Sequence, residues 1–155
     1  MNQRLIKAVA RGDKTKVARI FAHYKVDVNA ISKDYIPVLS IASGDGNTEI
    51  VAMLIEAGAN INAKDKMGWT ALMFASVRGR TDTVSVLLAY GASPNVGKDN
   101  FLGHTALVGA WRDGYIEIVS MLIEHGAEMD VKDGKGRPFF KLNSEKKNIL
   151  KSVVS

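Results

Sequence analysis

The sequence predicts an all-α solenoid, in which helix-turn-helix units stack side by side and are joined by β-turn hairpin loops. The first indication is a glycine-bounded segment that occurs three times, at residues 46–59, 79–92 and 114–127. The copies begin 33 and 35 residues apart, and a period near that length is typical of stacked helical repeats. The second indication is that one such unit cannot bury its apolar face alone, so neighbouring units must share a core.

The unit at residues 65–98 shows the order of elements most clearly. Asp65 to Trp69 have the composition of a turn, and the Thr70 hydroxyl is placed to cap the helix that follows. Gly79 ends this first helix. The unit therefore starts with a turn and a short helix, followed by a tight reversal.

The second helix of each unit has one apolar stripe. Val84, Leu87 and Leu88 recur at a spacing of three to four residues, which predicts a helix with one buried face. Gly91 follows where a left-handed residue ends a helix. The neighbouring units have the same pattern at Ile50, Val51, Leu54, Ile55 and Gly58, and at Ile118, Val119, Leu122, Ile123 and Gly126.

The two ends of the chain differ from the middle, as expected for capping units. The first unit begins directly at its first helix, at about Asn2 to Ala10, and its exit at residues 23–26 has no glycine, so another geometry is expected there. Ser144 precedes a closing helix at about residues 145–153. The prediction is a single domain with units at about 1–31, 32–64, 65–98, 99–132 and 133–155.

Composition excludes several classes of protein. An apolar content of 46% is enough for a continuous core, which argues against disorder. No apolar stretch approaches the length of a membrane span, and the first residues lack the apolar run of a secretory signal. The absence of cysteine excludes disulfides and thiolate metal sites and fits a reducing compartment. We expect a cytoplasmic or other intracellular protein, with delivery into a host cell as an open alternative.

The net charge of +5 is concentrated at the two ends of the chain. Residues 1–30 contain seven Lys and Arg against two acids, and residues 133–155 contain six against two. Polar, solvated end faces explain this pattern, because a solenoid needs them for solubility. The alternative is that the basic caps bind nucleic acid or an anionic membrane surface. Residues 97–132 are acidic, which argues against a continuous basic stripe.

Several segments match one family pattern in both identity and spacing. They are Gly68-Trp69-Thr70-Ala71-Leu72 with Ala75, Gly103-His104-Thr105-Ala106-Leu107 with Ala110, Gly58 to Ala63, and Asp27 to Ala30. In these segments the chain resembles ankyrin repeats, and the resemblance extends over essentially its whole length. It implies an ankyrin-repeat solenoid with three full repeats plus N- and C-terminal capping units.

The sequence departs from the family pattern at the start of the first helices. The usual histidine is replaced by Ser40, Met73 and Val108, so most of the hydrogen-bond network that the resemblance implies is expected to be missing. Pro37 stands where threonine is usual, so that helix loses a capping hydroxyl.

The resemblance implies a protein or peptide partner, held on a concave face by the turn tips and the exposed edge of the first helices. From the residues themselves we expect no cofactor and no metal. Carried over position by position, the candidate partner-binding residues are Asp34, Lys66, Met67, Trp69, Arg78, Phe101, Leu102, His104, Arg112 and Asp113.

Four of these candidates are apolar residues in turns, where polar residues are more common. Apolar anchors ringed by Arg and Lys are typical of protein interfaces. Trp69 either contacts the partner or braces adjacent turns. Phe101 lies in a turn two residues longer than its counterpart, and we expect it to contact the partner. Trp111 is expected between the helices or on the groove floor.

Catalytic chemistry has no support in the sequence. His23, His104 and His125 form no pair at helical spacing and have no cysteine partner, which argues against a metal site. No glycine-rich phosphate motif or nucleophile elbow is present. The prediction is a non-enzymatic, monomeric protein-interaction module: an adaptor, scaffold or inhibitor. Self-association is a further possibility.

Overall fold

The computed structural model describes residues 2–97 and 104–139, together with Asn148 and Ser152. These residues form eight α-helices and no named strand. The helices are α1 (Asn2–Ala10), α2 (Lys14–His23), α3 (Val38–Asp45), α4 (Thr48–Glu56), α5 (Ala71–Val77), α6 (Thr81–Ala89), α7 (Ala106–Arg112) and α8 (Ile116–Glu124). Apart from Asn148 and Ser152, the predicted closing helix lies outside the described residues.

The helices form two layers. The first helices α1, α3, α5 and α7 pack in succession, and so do the second helices α2, α4, α6 and α8. Each first helix also packs on the second helix of its own unit. This arrangement confirms the predicted all-α solenoid of stacked helix pairs.

Local sequence explains how the first helices begin. The Thr70 hydroxyl accepts a hydrogen bond from the Met73 amide at 3.4 Å, and the Thr105 hydroxyl accepts one from the Val108 amide at 3.2 Å. Each bond satisfies an amide of the first turn that has no helical partner. Pro37 has no side-chain capping bond, as predicted.

The exits from the second helices follow the glycine pattern. Gly91 has a φ of 87°, a left-handed conformation that glycine adopts without steric cost. The first unit has no glycine at this point, and Tyr24 ends α2 in an extended conformation at φ −136°. The different geometry predicted for this exit is confirmed.

One apolar core runs through all four helix pairs. Its largest buried side chains occupy equivalent positions in successive second helices, among them Leu54, Leu87 and Leu122. Trp111 is buried in the same core, with 9% of its surface exposed. Because every unit supplies part of this core, the units stabilise one another.

Asparagines fix how successive units stack. Each accepts a hydrogen bond from a backbone amide of the following unit, so the same contact repeats along the array. The amide of Asn60 donates to Asn29 Oδ1 at 2.7 Å, that of Ser93 donates to Asn62 Oδ1 at 2.9 Å, and that of Glu128 donates to Asn95 Oδ1 at 2.8 Å.

Candidate functional site

Turns between the helix pairs supply the first part of the candidate site. We call residues 31–37 the first finger, residues 64–69 the second finger and residues 132–138 the last finger. Isolated antiparallel bridges close the first finger at Ile31 and Pro37 and the last finger at Lys132 and Pro138. Residues 98–103, which include Phe101 and Leu102, lie outside the described residues.

The second finger is held by one carboxylate. Asp65 Oδ1 accepts hydrogen bonds from the amides of Met67 and Trp69, both at 2.8 Å. The Asp65 amide donates to the Trp69 carbonyl at 2.9 Å. These bonds confirm the predicted turn and leave the side chains of Lys66 and Met67 exposed.

The last finger repeats this geometry. Asp133 Oδ1 accepts from the amides of Lys135 and Arg137, both at 2.9 Å, and Arg137 Nε donates to Asp133 Oδ2 at 2.7 Å. The Arg137 side chain is the main cause of a lowered pKa at Asp133, and the backbone bonds add to it.

The first finger differs at its tip. The Ser32 hydroxyl takes the place of the carboxylate and accepts from the Ile36 amide at 3.2 Å. Tyr35 has a left-handed φ of 62° where the other two fingers have Gly68 and Gly136. The sequence analysis missed Tyr35. It could have been found from the spacing. Tyr35 lies three residues after Ser32, just as Gly68 and Gly136 lie three residues after Asp65 and Asp133.

A cleft between α5 and α7 supplies the second part of the candidate site. It joins side chains from two successive first helices and has a volume of about 20 Å³. Its lining residues are Trp69, Met73, Val77, His104, Thr105, Val108, Gly109 and Arg112.

Trp69 lies where the second finger meets this cleft. Its ring is half-buried, 5.4 Å from the Phe74 ring and 6.0 Å from the His104 ring between centroids. The contact with His104 is edge-on, a favourable arrangement for aromatic pairs. Trp69 therefore braces two neighbouring units while it also lines the cleft. Phe74 was not among the predicted site residues.

One of the charged candidates lies at the cleft, and the others lie elsewhere. Arg112 lines the cleft, and its Nε lies 3.3 Å from Asp113 Oδ1. Arg78, at the end of α5, contacts Asp45 of the preceding unit at 3.2 Å. Both arginines stay exposed, so these ion pairs leave their guanidinium groups accessible. Asp34 lies apart from them, exposed on the first finger.

The structure thus brings some of the predicted residues together and separates others. Trp69, His104 and Arg112 line one cleft.

In the described part of the chain, no group of three or more His, Asp or Glu side chains is placed to hold a metal ion. No helix in residues 2–97 or 104–139 has the length and apolar character needed to cross a bilayer.

Stacked helix pairs, a repeated asparagine contact and finger-like turns define a helical-repeat module. Models of the ankyrin repeat match residues 5–98, as three copies, and residues 102–134. The chain belongs to the ankyrin-repeat family.

Several curated proteins are similar to part of this chain. Mouse protein phosphatase 1 regulatory subunit 27 is 32% identical over 92 residues, which is 59% of this chain and 60% of that protein. Human mitochondrial disaggregase is 47% identical over 58 residues, 37% of this chain and 8% of that protein. Human fibronectin type 3 and ankyrin repeat domains protein 1 is 39% identical over 51 residues, 33% of this chain and 15% of that protein. The chain therefore spans less than two thirds of each relative.

Proposed function

We propose that this chain is a non-enzymatic adaptor, scaffold or inhibitor that binds a protein or peptide at the cleft between α5 and α7 and at the adjoining second finger. The cleft supports this proposal because it combines apolar walls with one exposed arginine. Trp69, Met73 and Val77 form part of the apolar lining, and Arg112 supplies the charge. Aromatic, methionine and arginine side chains are enriched in protein interfaces.

The shape of the cleft favours a macromolecular partner over a small molecule. Its volume of about 20 Å³ is far below the several hundred Å³ of typical small-molecule sites. The surface is also pre-ordered, since Trp69 packs between Phe74 and His104. A rigid surface loses little side-chain entropy when it binds, which favours affinity.

The relatives are consistent with this role. Ankyrin repeats form protein-binding modules and are typically not enzymes. One relative is named as a regulatory subunit of protein phosphatase 1, which favours binding and regulation over catalysis. An intracellular location and a monomeric state stay predictions.

The proposal is tested with two exposed residues whose loss should preserve the fold. Proteins bound by the full chain are identified by cross-linking and mass spectrometry, and the affinity of the purified partner is then measured. Met67→Ser with Arg112→Ser should weaken binding about tenfold or more, the usual effect of removing interface anchors. Arg11→Ser, an exposed arginine between α1 and α2, is the matched control.

The two outcomes are separated by circular dichroism and affinity together. All variants should retain the far-UV spectrum of the unmodified chain. If the Met67→Ser, Arg112→Ser variant binds the partner as tightly as the unmodified chain, the cleft is not the binding surface.

A basic depression on the N-terminal helix pair favours a second candidate function, binding of phosphate-rich polyanions. Arg4, Lys16 and Arg19 line it with one acid, Asp13, and its volume is about 480 Å³. Nucleic acid and anionic membranes both present phosphate groups to such a surface. Binding of an oligonucleotide and of phosphatidylserine vesicles should then weaken steeply with added salt and with Arg19→Ser. If binding is unaffected by added salt and by Arg19→Ser, this candidate function is excluded.

A further inference from the structure

We propose that the first and second fingers form an additional docking surface for an acidic protein segment that carries a large apolar side chain. The inference rests on the proposed function, because it assumes a protein partner. It shares the second finger with the proposed site and adds the first finger, which lies outside the cleft. We call it the two-finger surface, formed by Ile31, Lys33, Tyr35, Lys64, Lys66 and Met67.

Three large apolar side chains are exposed on these two fingers. Tyr35 and Met67 are each 64% exposed, and Ile31 is 56% exposed. The fingers are neighbours, since Lys66 Nζ lies 5.6 Å from the centre of the Tyr35 ring. Single exposed apolar residues are common on protein surfaces, whereas a group of them on adjacent turns indicates a binding site.

The backbone of Tyr35 supports a role in binding. A residue with a Cβ atom is disfavoured at a left-handed φ, and the equivalent positions Gly68 and Gly136 avoid that cost. Exposure of the Tyr35 ring means that packing in the folded chain offsets little of the cost. A strained, exposed aromatic residue at a turn tip is more simply explained by a partner than by folding.

The charges of the two fingers favour an acidic partner. Lys33, Lys64 and Lys66 are exposed, whereas Asp65 is half-buried and directs Oδ1 at two amides of its own turn. Asp34 is the exposed acid of these two fingers. The accessible charge is therefore positive, and complementary charge steers and orients a partner.

A depression at the base of the first finger provides a place for an apolar anchor. Ile31, Pro37, Ala63 and Lys64 are among the residues that line it. Its volume is about 220 Å³, many times that of a water molecule and enough for one large side chain. Because Lys64 lines this depression, an acidic residue next to the apolar anchor of the partner would lie near the Lys64 ammonium group.

Random peptides displayed on phage are the probe for this surface. Selection against the full chain should enrich peptides that combine several Asp or Glu with one large apolar residue. An enriched peptide is then synthesised and its affinity measured by fluorescence anisotropy. Replacing its acids with lysine should abolish binding.

Tyr35→Gly is the decisive variant, because it removes the ring and places glycine at a left-handed position, so the fold should be retained. We expect it, and Lys66→Gln, to weaken peptide binding about tenfold or more. Tyr90→Ser removes another exposed tyrosine, outside the fingers, and should leave the affinity unchanged.

The inference is overturned if selection enriches no acidic peptides, or if such peptides bind Tyr35→Gly as tightly as the unmodified chain. Arg112→Ser separates this result from the proposed function, because it alters the cleft and leaves both fingers intact. If Arg112→Ser loses partner binding while Tyr35→Gly still binds the acidic peptides, the two-finger surface alone is contradicted. If Arg112→Ser keeps partner binding while Tyr35→Gly loses the peptides, the cleft alone is contradicted.

Discussion

Gly109 of α7 lies so close to Val77 of α5 that there is no room for a methyl group between them. A Cβ atom added to Gly109 would meet Val77 Cγ1 well inside the normal separation of two carbon atoms. Both residues line the cleft. The missing side chain of Gly109 therefore allows the two first helices to approach closely at the floor of the candidate site.

Gly109→Ala should destabilise the protein by about 1–3 kcal/mol, the usual cost of overpacking a core. This is expected although alanine has the better helix propensity, by about 1 kcal/mol. Urea unfolding of Gly109→Ala measures the change. In a Val77→Ala background the same substitution should become neutral or stabilising, because the clashing methyl group is gone. An equal penalty in both backgrounds would show that contact with Val77 is not the cause.

Ser40→Ala should raise the free energy of unfolding by about 1 kcal/mol. Ser40 Oγ is buried, and among the described residues it has no hydrogen-bond partner, so its removal relieves an uncompensated desolvation. Ser43→Ala is the matched control in the same helix, because Ser43 Oγ donates to the Leu39 carbonyl at 2.7 Å. The control should be neutral or destabilising. Equal destabilisation by both substitutions in thermal unfolding would contradict the prediction.

Glu56→Gln should lower the pKa of Tyr90 toward its ordinary value. The Tyr90 hydroxyl donates to Glu56 Oε1 at 2.7 Å, and this bond is the main cause of its raised pKa, followed by desolvation and the negative charge of Glu56. The contribution to stability is therefore present below the unfolded pKa of about 10 and is lost as pH rises through the folded pKa.

Nuclear magnetic resonance titration of labelled tyrosine rings measures the change at Tyr90. Glu49→Gln is the control, because Glu49 pairs with Lys14 and should leave the pKa of Tyr90 unchanged. A pKa of Tyr90 that is unaffected by Glu56→Gln would exclude the hydrogen bond as its cause.

Arg137→Gln should raise the pKa of Asp133, whose folded value the Arg137 side chain lowers. Because the folded pKa is lowered, the contribution to stability is present above the unfolded pKa of about 3.9 and is lost as pH falls through the folded pKa. Titration of the Asp133 carboxyl carbon tests this. The shift should be partial, since the backbone amides still donate to the carboxylate. No shift at all would mean that Arg137 does not pair with Asp133 in solution.

Local patterns in the sequence predicted many elements correctly. The start of α1 at Asn2, the cap at Thr70, the uncapped helix after Pro37 and the left-handed Gly91 are all confirmed. Each depends on residues within one turn of the chain, so periodicity and side-chain chemistry are enough to predict it. Local patterns predicted less about the arrangement of side chains at the candidate site. Trp69 could be given two roles from sequence, and its packing against Phe74 and His104 shows that it braces adjacent units.

The amino-acid sequence by itself determined the family, the repeat period and the positions of the helices, because glycine, threonine and apolar residues recur at fixed intervals. Tertiary structure alone decided which side chains from different units meet, such as Gly109 with Val77 and Lys66 with Tyr35. Those contacts depend on how each unit is placed against its neighbour. That placement is set by the shared core and the asparagine contacts, which act between residues about thirty positions apart.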